Sequence, residues 1–402
     1  MKPQSPVAKN LIRRFFVKLF LLLFISTNVF SQSFIPGQSY LDSNQYVEYI
    51  AGNLPFVISV PHGGYLEPAS IPDRNCSGCK YMRDSYTQEL GREIMAAFYA
   101  KTGCWPHMVI NLLHRKKFDA NRDIGDAADG NPIVEKSWYA YHAFLDSAKN
   151  KIESGYGRGL FIDLHGHGHS IQRLEVGYLL SSTKLRYTDS ALNTQAILNI
   201  TSIKNLAGNN LNGFNHAQLV RGPFALGSIL SDMGFPAVPS QAIPYPASGD
   251  PYFSGGYNTK RHGSRYGGNI DGIQIEGNHN VRFDSITRKR FADSLANALI
   301  YFYNKHYNSN FTGNYCGLLY VPDKNAATMN IEIFPNPATT VLYVKADVGG
   351  LNIEVYNSAG QLVLNQKLAS GTFDISSLKK GVYLVRLNSA DGQSYQRIIL
   401  KL

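Results

Sequence analysis

Three histidines stand close together at the end of an apolar run. The run is Leu160, Phe161, Ile162, Asp163 and Leu164, and His165, His167 and His169 follow, spaced by Gly166 and Gly168. An apolar segment of this length reads as a buried strand. A strand that breaks into imidazoles is how an α/β protein presents ligands at the carboxyl edge of its sheet. Imidazoles at that density suit a metal, with the glycines giving the backbone room for a close approach. Asp163 is placed to orient one of the rings through its second nitrogen. The same pattern occurs earlier, where Pro55 to Val60 runs into Pro61, His62, Gly63 and Gly64. Later, Ile273 to Glu276 is an apolar strand with a carboxylate near its end.

The elements that must position these residues can be read in order. Tyr46 to Ile50 and Pro55 to Val60 read as two strands of a hairpin turning at Gly52 and Asn53. Ser85 to about Lys101 reads as a helix, with Leu90, Ile94, Ala97 and Phe98 on one face and Gly103 as its stop. Asp84 suits its N-cap. Met108 to Leu113 is a short strand leading into a polar loop with Asn121 and Arg122. Val134 to Ser154 reads as a long amphipathic helix, Leu174 to Leu180 as a strand, and 186–233 as mostly helical. A Gly-, Tyr- and Ser-rich loop spans 244–265, and Ile286 to Tyr307 reads as the last long helix. Strands alternating with helices predict an α/β fold with a mainly parallel or mixed sheet flanked by helices. From residue 330 on, short alternating strands separated by turn residues predict a small all-β sandwich. The expected division is 1–31 signal peptide, 32–322 catalytic domain, 323–329 linker and 330–402 β-sandwich.

Composition sets the context. The 402 residues are 44% hydrophobic and 17% charged, ordinary for a globular protein with a sizeable core. Lys2, Lys9, Arg13, Arg14 and Lys18 precede the apolar run Leu19 to Ile25 and the polar, small-residue stretch Ser26 to Gln32. This is the order of a secretory signal, with cleavage expected near Ser31 and Gln32. The apolar run is too short to span a bilayer. Removing 1–31 takes five basic residues, so the net charge of +10 becomes +10 − 5 = +5. No block of like charges follows, which argues against nucleic acid as a partner. In an exported chain the four cysteines, Cys76, Cys79, Cys104 and Cys316, read as disulfides with three possible pairings. A local Cys76–Cys79 bridge with a long-range Cys104–Cys316 bridge is expected.

The C-terminal seventy or so residues resemble the type A sorting domain of the type IX secretion system of Bacteroidetes. The resemblance rests on Phe334 to Ala338, Val355 to Val363, Asp374 to Leu378 and Gly381 to Leu387. It implies passage across the outer membrane of a Gram-negative cell, then release or surface attachment, with the secretion machinery as partner.

Residues from about 55 to 305 resemble the N-formylglutamate amidohydrolase family, itself similar in fold to the zinc carboxypeptidases. The matching pieces are Ser59 to Gly64, Arg83 to Thr87, Asp119 to Asp123, Asp163 to His167, Phe253 to Gly256 and Gln274 to Glu276. The zinc carboxypeptidases carry their early ligand pair as His-x-x-Glu, whereas Tyr65 stands three residues after His62 here. Glu67 and Asp84 both compete for the carboxylate role, and Gly277 to Arg282 matches nothing in the pattern.

The resemblance implies zinc-dependent amide hydrolysis. Its expected ligands are His62, Asp84 and His165, with His167 and His169 as alternatives to His165. A zinc with three protein ligands and one open position activates a water. Glu276 is expected as the general base that also hands the proton to the leaving nitrogen. Arg122 is expected to hold a substrate carboxylate through paired hydrogen bonds, helped by Asn121, with Arg173 and Arg261 as further candidates. A small acidic amide or a peptide is the expected substrate. A non-catalytic binding protein, or a zinc-dependent glycan deacetylase or esterase, is the alternative.

Overall fold

The computed structural model describes residues 34–309, 311, 331–336, 338–346, 350–357, 361–368, 371–389 and 394–402. The expected signal peptide, the expected linker and Cys316 lie outside the described residues. Among the described residues, no helix is long and apolar enough to cross a membrane.

The larger unit is one mixed sheet of eight strands. They are β1 (Ser39–Leu41), β2 (Val47–Ile50), β3 (Phe56–Val60), β4 (His107–Asn111), β5 (Gly159–Gly166), β6 (Leu174–Gly177), β7 (Ala237–Val238) and β8 (Ile270–Gly277). Their order in space is β1-β2-β4-β3-β5-β8-β6-β7. The central run β4-β3-β5-β8 is parallel, as is β6-β7. The pairs β1-β2, β2-β4 and β6-β8 are antiparallel. The hairpin expected around Gly52 is not formed, because β4 lies between β2 and β3 and pairs with both.

Alternation along the strands makes two cores. Phe56, Ile58 and Val60 of β3, with Ile162 and Leu164 of β5, pack on one face with α1 (Thr87–Thr102) and α3 (Ser285–His306). Val57 and Phe161 turn to the other face, where α2 (Pro132–Tyr156) covers them with Trp138, Tyr141 and Leu145. Each side chain fully buried this way contributes about 1.5–3 kcal/mol. The N-terminus of α2 is fixed by the Asn131 side chain, which accepts from the Ile133 and Val134 amides, with Pro132 in the first turn. Between β6 and β8 the region predicted as mostly helical is a series of short helices, among them His216–Arg221 and Leu226–Asp232.

The C-terminal unit is a separate pair of antiparallel sheets. Its strands are β9 (Ile331–Phe334), β10 (Val341–Ala346), β11 (Asn352–Asn357), β12 (Leu362–Lys367), β13 (Thr372–Asp374), β14 (Gly381–Asn388) and β15 (Ser394–Lys401). One sheet runs β13-β10-β9 and the other β12-β11-β14-β15. Ile333, Leu342 and Val344 of the first share a core with Ile353, Val355, Val385, Leu387 and Ile399 of the second.

Candidate active site

The carboxyl ends of β3, β5 and β8 open into a cavity of ≈ 840 Å³ lined by His62, Asp84, Arg122, His165, His169 and Glu276, among others. Register explains why these residues meet. Asp163 and His165 lie two apart on β5 and so share a face, and β8 places Gln274 and Glu276 directly beside them. His62 follows β3 by two residues, and its carbonyl accepts from the Asp84 amide at 3.0 Å, which draws the start of α1 to the site.

Asp84 is not a cap. The residue before α1 is Tyr86, in a left-handed conformation with no side-chain capping bond. The Asp84 side chain turns inward, with Oδ2 3.3 Å from His62 Nδ1, 3.1 Å from His165 Nδ1 and 3.2 Å from the Gly166 amide. Its Oδ1 faces Arg115 Nη1 at 3.5 Å. The other nitrogen of each imidazole is held from behind. His62 Nε2 lies 2.6 Å from Asp119 Oδ1, and His165 Nε2 lies 3.2 Å from Asp163 Oδ2. Both carboxylates are fully buried and anchored, Asp119 by Arg115 and Asp163 by Ser59 and Thr259.

This arrangement fits a divalent cation. Metal-bound histidines donate their remote N–H to a carboxylate, which fixes tautomer and ring orientation. With Nε2–H given to Asp119 and Asp163, both Nδ1 lone pairs point at an Asp84 oxygen that also carries lone pairs. That contact is repulsive until positive charge sits there. His62, Asp84 and His165 offer two nitrogens and one oxygen within 4.8 Å of one another, a donor set that suits zinc with one position open. Without a cation, a proton on an imidazole supplies that positive charge. Burial alone would raise the Asp84 carboxyl, but the two imidazoles outweigh it and hold it well below the usual range. Burial would lower the His165 imidazole, but Asp163 and Asp84 hold it well above.

Glu276 faces the same point from β8. Gln274 Nε2 donates to its Oε1 at 2.9 Å, while its buried Oε2 has no hydrogen-bond partner among the described residues. Burial, opposed by His165 and reinforced by the charges of Asp84, Glu175 and Asp163, pushes its pKa to about 8. A cation held beside it would favour its ionised form, and a buried carboxylate with one open oxygen next to a cation site is the form a general base takes.

The remaining sequence candidates separate. Arg122 lines the cavity, and its guanidinium makes no hydrogen bond or ion pair among the described residues. Asp123, its acidic neighbour, instead caps the helix Ile124–Ala128. Asn121 is committed to structure: its Oδ1 accepts from the Asn258 amide at 2.7 Å and its Nδ2 lies 3.3 Å from His165 Nε2. Arg173 is paired with Asp250 at 3.1 Å, and Arg261 lies over Trp138 and bonds Tyr257, so neither is a cavity-wall residue. Glu67 pairs with Lys116 at 2.7 Å and lies 3.7 Å from His114 on an exposed loop, outside the lining of the cavity. His167 has both ring nitrogens engaged with backbone, at the His169 amide and the Arg173 carbonyl. Cys76 and Cys79 form the local disulfide. Cys104 is buried and not free, and its expected partner lies outside the described residues.

Sequence reading missed three residues that build the site. Asp119 stands in the sequence as the start of the matching piece Asp119 to Asp123 and as a neighbour of Arg122, with no role of its own. Arg282 reaches back across the cavity, with Nε on the Gly277 carbonyl at 2.9 Å, Nη2 on the His167 carbonyl at 2.8 Å and Nη1 on the Ser85 carbonyl. A Cβ on Gly166 would come 2.3 Å from its Nε, so that glycine makes room for Arg282 rather than for a metal. Glu175, across from Glu276 on β6, carried no sequence signal beyond its type.

Residues 332–401 match the family model described as secretion system C-terminal sorting domain. This segment is a sorting domain. It points to type IX secretion and to a secreted or cell-surface protein. A stretch of 73 residues is 32% identical to beta-agarase D of Zobellia galactanivorans, covering 18% of this chain and 15% of that relative's length. The solved PorZ of Porphyromonas gingivalis, described as an essential surface component of the type IX secretion system, matches over 18% of this chain and 11% of its own, at 13% identity and a TM-score of 0.17. N-formylglutamate amidohydrolase from Ralstonia eutropha JMP134 covers 65% of this chain and 97% of its own, at 14% identity and a TM-score of 0.37. With likenesses this distant, the chemistry of the cavity has to come from its own geometry.

Proposed function

We propose that this is an exported, zinc-dependent hydrolase of amide bonds in carboxylate-bearing substrates. The observation that carries the reading is the convergence of His62, Asp84 and His165, each imidazole backed by a buried carboxylate, beside the open oxygen of Glu276. A zinc ion held by the three residues would acidify a water and polarise a carbonyl. Glu276 Oε2 takes the water's proton, because its other oxygen is tied to Gln274. Arg122, whose guanidinium has no hydrogen-bond or ion-pair partner among the described residues, offers it to a substrate carboxylate in the same cavity. Asp119 and Asp163 keep the imidazoles turned toward the cation.

The address narrows the substrate. A sorting domain points to a secreted or cell-surface protein, which favours an extracellular acidic acyl amide, a γ-glutamyl linkage or a peptide C-terminus over an intracellular metabolite. The domain division 32–322, 323–329 and 330–402 belongs to the same proposal. The test is zinc content of the purified protein together with a panel of acyl amides. About one zinc per chain is expected, lost in His62→Ala and in His165→Ala. Zinc retained in both variants overturns the ligand set. A zinc-loaded protein that turns over only formylglutamate overturns the substrate class, and one inert on the whole panel overturns the hydrolase reading.

A further inference from the structure

Amide hydrolysis needs a second proton movement, onto the leaving nitrogen, and the structure holds a group for it that the reading above does not use. His169 lines the cavity with its side chain 20% exposed. Its Nδ1 donates to Glu175 Oε1 at 2.8 Å. Glu175 is itself buried on β6, and its Oε2 accepts from the Phe253 amide at 2.7 Å. The Phe253 ring stacks on the imidazole with centroids 4.7 Å apart. The ring is therefore fixed in its plane and along its axis. Its Nε2 makes no hydrogen bond among the described residues, on a ring that faces the cavity.

This is the logic of a carboxylate–histidine pair. A buried carboxylate at Nδ1 fixes the tautomer, compensates the charge when both nitrogens carry protons, and leaves Nε2 to exchange a proton with substrate. Position in the sheet adds the second argument. The order β5-β8-β6 puts Glu276 in the middle. His165 is its neighbour on one side and Glu175 its neighbour on the other. A carbonyl lying over β8 has the cation ligands on one flank and His169 on the other.

We propose that His169, held by Glu175, is the proton donor to the leaving nitrogen, in place of the transfer through Glu276 that the family resemblance implies. The inference rests on the hydrolase reading. Water adds to the carbonyl carbon, forming the new C–O bond and giving one proton to Glu276. The C–N bond then breaks with its electron pair going to nitrogen, which takes the proton from His169 Nε2. A carboxylic acid and a free amine depart. Glu276 releases its proton and His169 regains one from solvent.

The test compares the acyl amide selected by the substrate panel with its matched ester, whose alkoxide leaves with less help from an acid. In His169→Gln and in Glu175→Gln, kcat for the amide is expected to fall by about 10²-fold or more, with KM little changed. The fall for the ester should be at least about tenfold smaller. Nitrogen-15 NMR of the histidines adds a readout independent of turnover: the His169 Nδ1 proton should be protected from exchange in the wild type and exposed in Glu175→Gln. Equal losses on amide and ester, no loss on either, or an Nδ1 without a protected proton would each overturn the assignment. A wild type inert on the whole panel overturns the hydrolase reading, and the donor role falls with it. An active wild type with unselective variants overturns the donor alone.

Discussion

At the scale of single residues the site is a set of charges that need one another. Glu276→Gln keeps shape and removes the base, so turnover should fall by about 10²–10⁴-fold while zinc content is unchanged; kcat and metal analysis on one preparation check this. The same residue sets a pH dependence in the metal-free protein. Its carboxyl is raised from 4.5 to about 8 on folding, by burial first and then by neighbouring carboxylates against the opposing His165. Between those values the folded state holds a proton that the unfolded state releases. Its contribution is therefore full below about pH 4.5 and is lost as pH rises toward 8. Replacing it by neutral Gln should raise the metal-free melting temperature relative to wild type at pH 8 to 9 and not at pH 5. Melting curves with chelator at both pH values measure it, and a gain at pH 5 alone would reverse the sign. Behind the ligands, Asp119→Asn and Asp163→Asn should each weaken zinc by about 10–100-fold without removing a ligand, as read by chelator competition.

At the scale of elements, what matters is how loops are brought to one edge. Arg282, from the segment after β8, binds carbonyls at Ser85, His167 and Gly277, and so ties the approach to α1, the histidine loop and the end of β8 together. Gly166→Ala puts a methyl 2.3 Å from the Arg282 Nε, and Arg282 cannot swing aside without giving up those carbonyls. The variant should cost about 1–3 kcal/mol and weaken zinc binding together, seen as a lower melting temperature and a lower affinity. A stable variant with wild-type affinity would show that the tie is dispensable. This tie also marks the limit of what sequence could yield. The strands β3, β5 and β8 are legible because single polar residues such as Ser59, Asp163 and Gln274 leave their runs mainly apolar, and the histidine-bearing ends of β3 and β5 with them. The insertion of β4 between β2 and β3 was not, because a hairpin and a crossover have the same local pattern. The inward turn of Asp84 was hidden because an acidic residue before a helix reads first as a cap. Asp119, Glu175 and Arg282 act through partners distant in the chain, and spacing carries no trace of such contacts.

At the scale of the whole molecule, two units with separate cores divide the work. Among the described residues, the cores around the mixed sheet contain none after Phe311, and the core of the sorting domain contains none before Ile331. The catalytic proposal draws every residue from the first unit, between His62 and Glu276. The secretion reading draws only on the second, residues 332–401. A domain folds on its own when it has its own apolar core, and among the described residues each unit has one. Deleting residues 330–402 should therefore leave zinc content, melting temperature and panel activity at full-length values, while the truncated chain stays on the cell side of the outer membrane. Fractionation of the producing bacterium and assay of the purified short form measure the two halves of this prediction together. Loss of zinc or of the melting transition in the short form would mean that the C-terminal sheets complete the fold of the larger unit. Export of the short form at the normal level would mean that the address is read elsewhere in the chain.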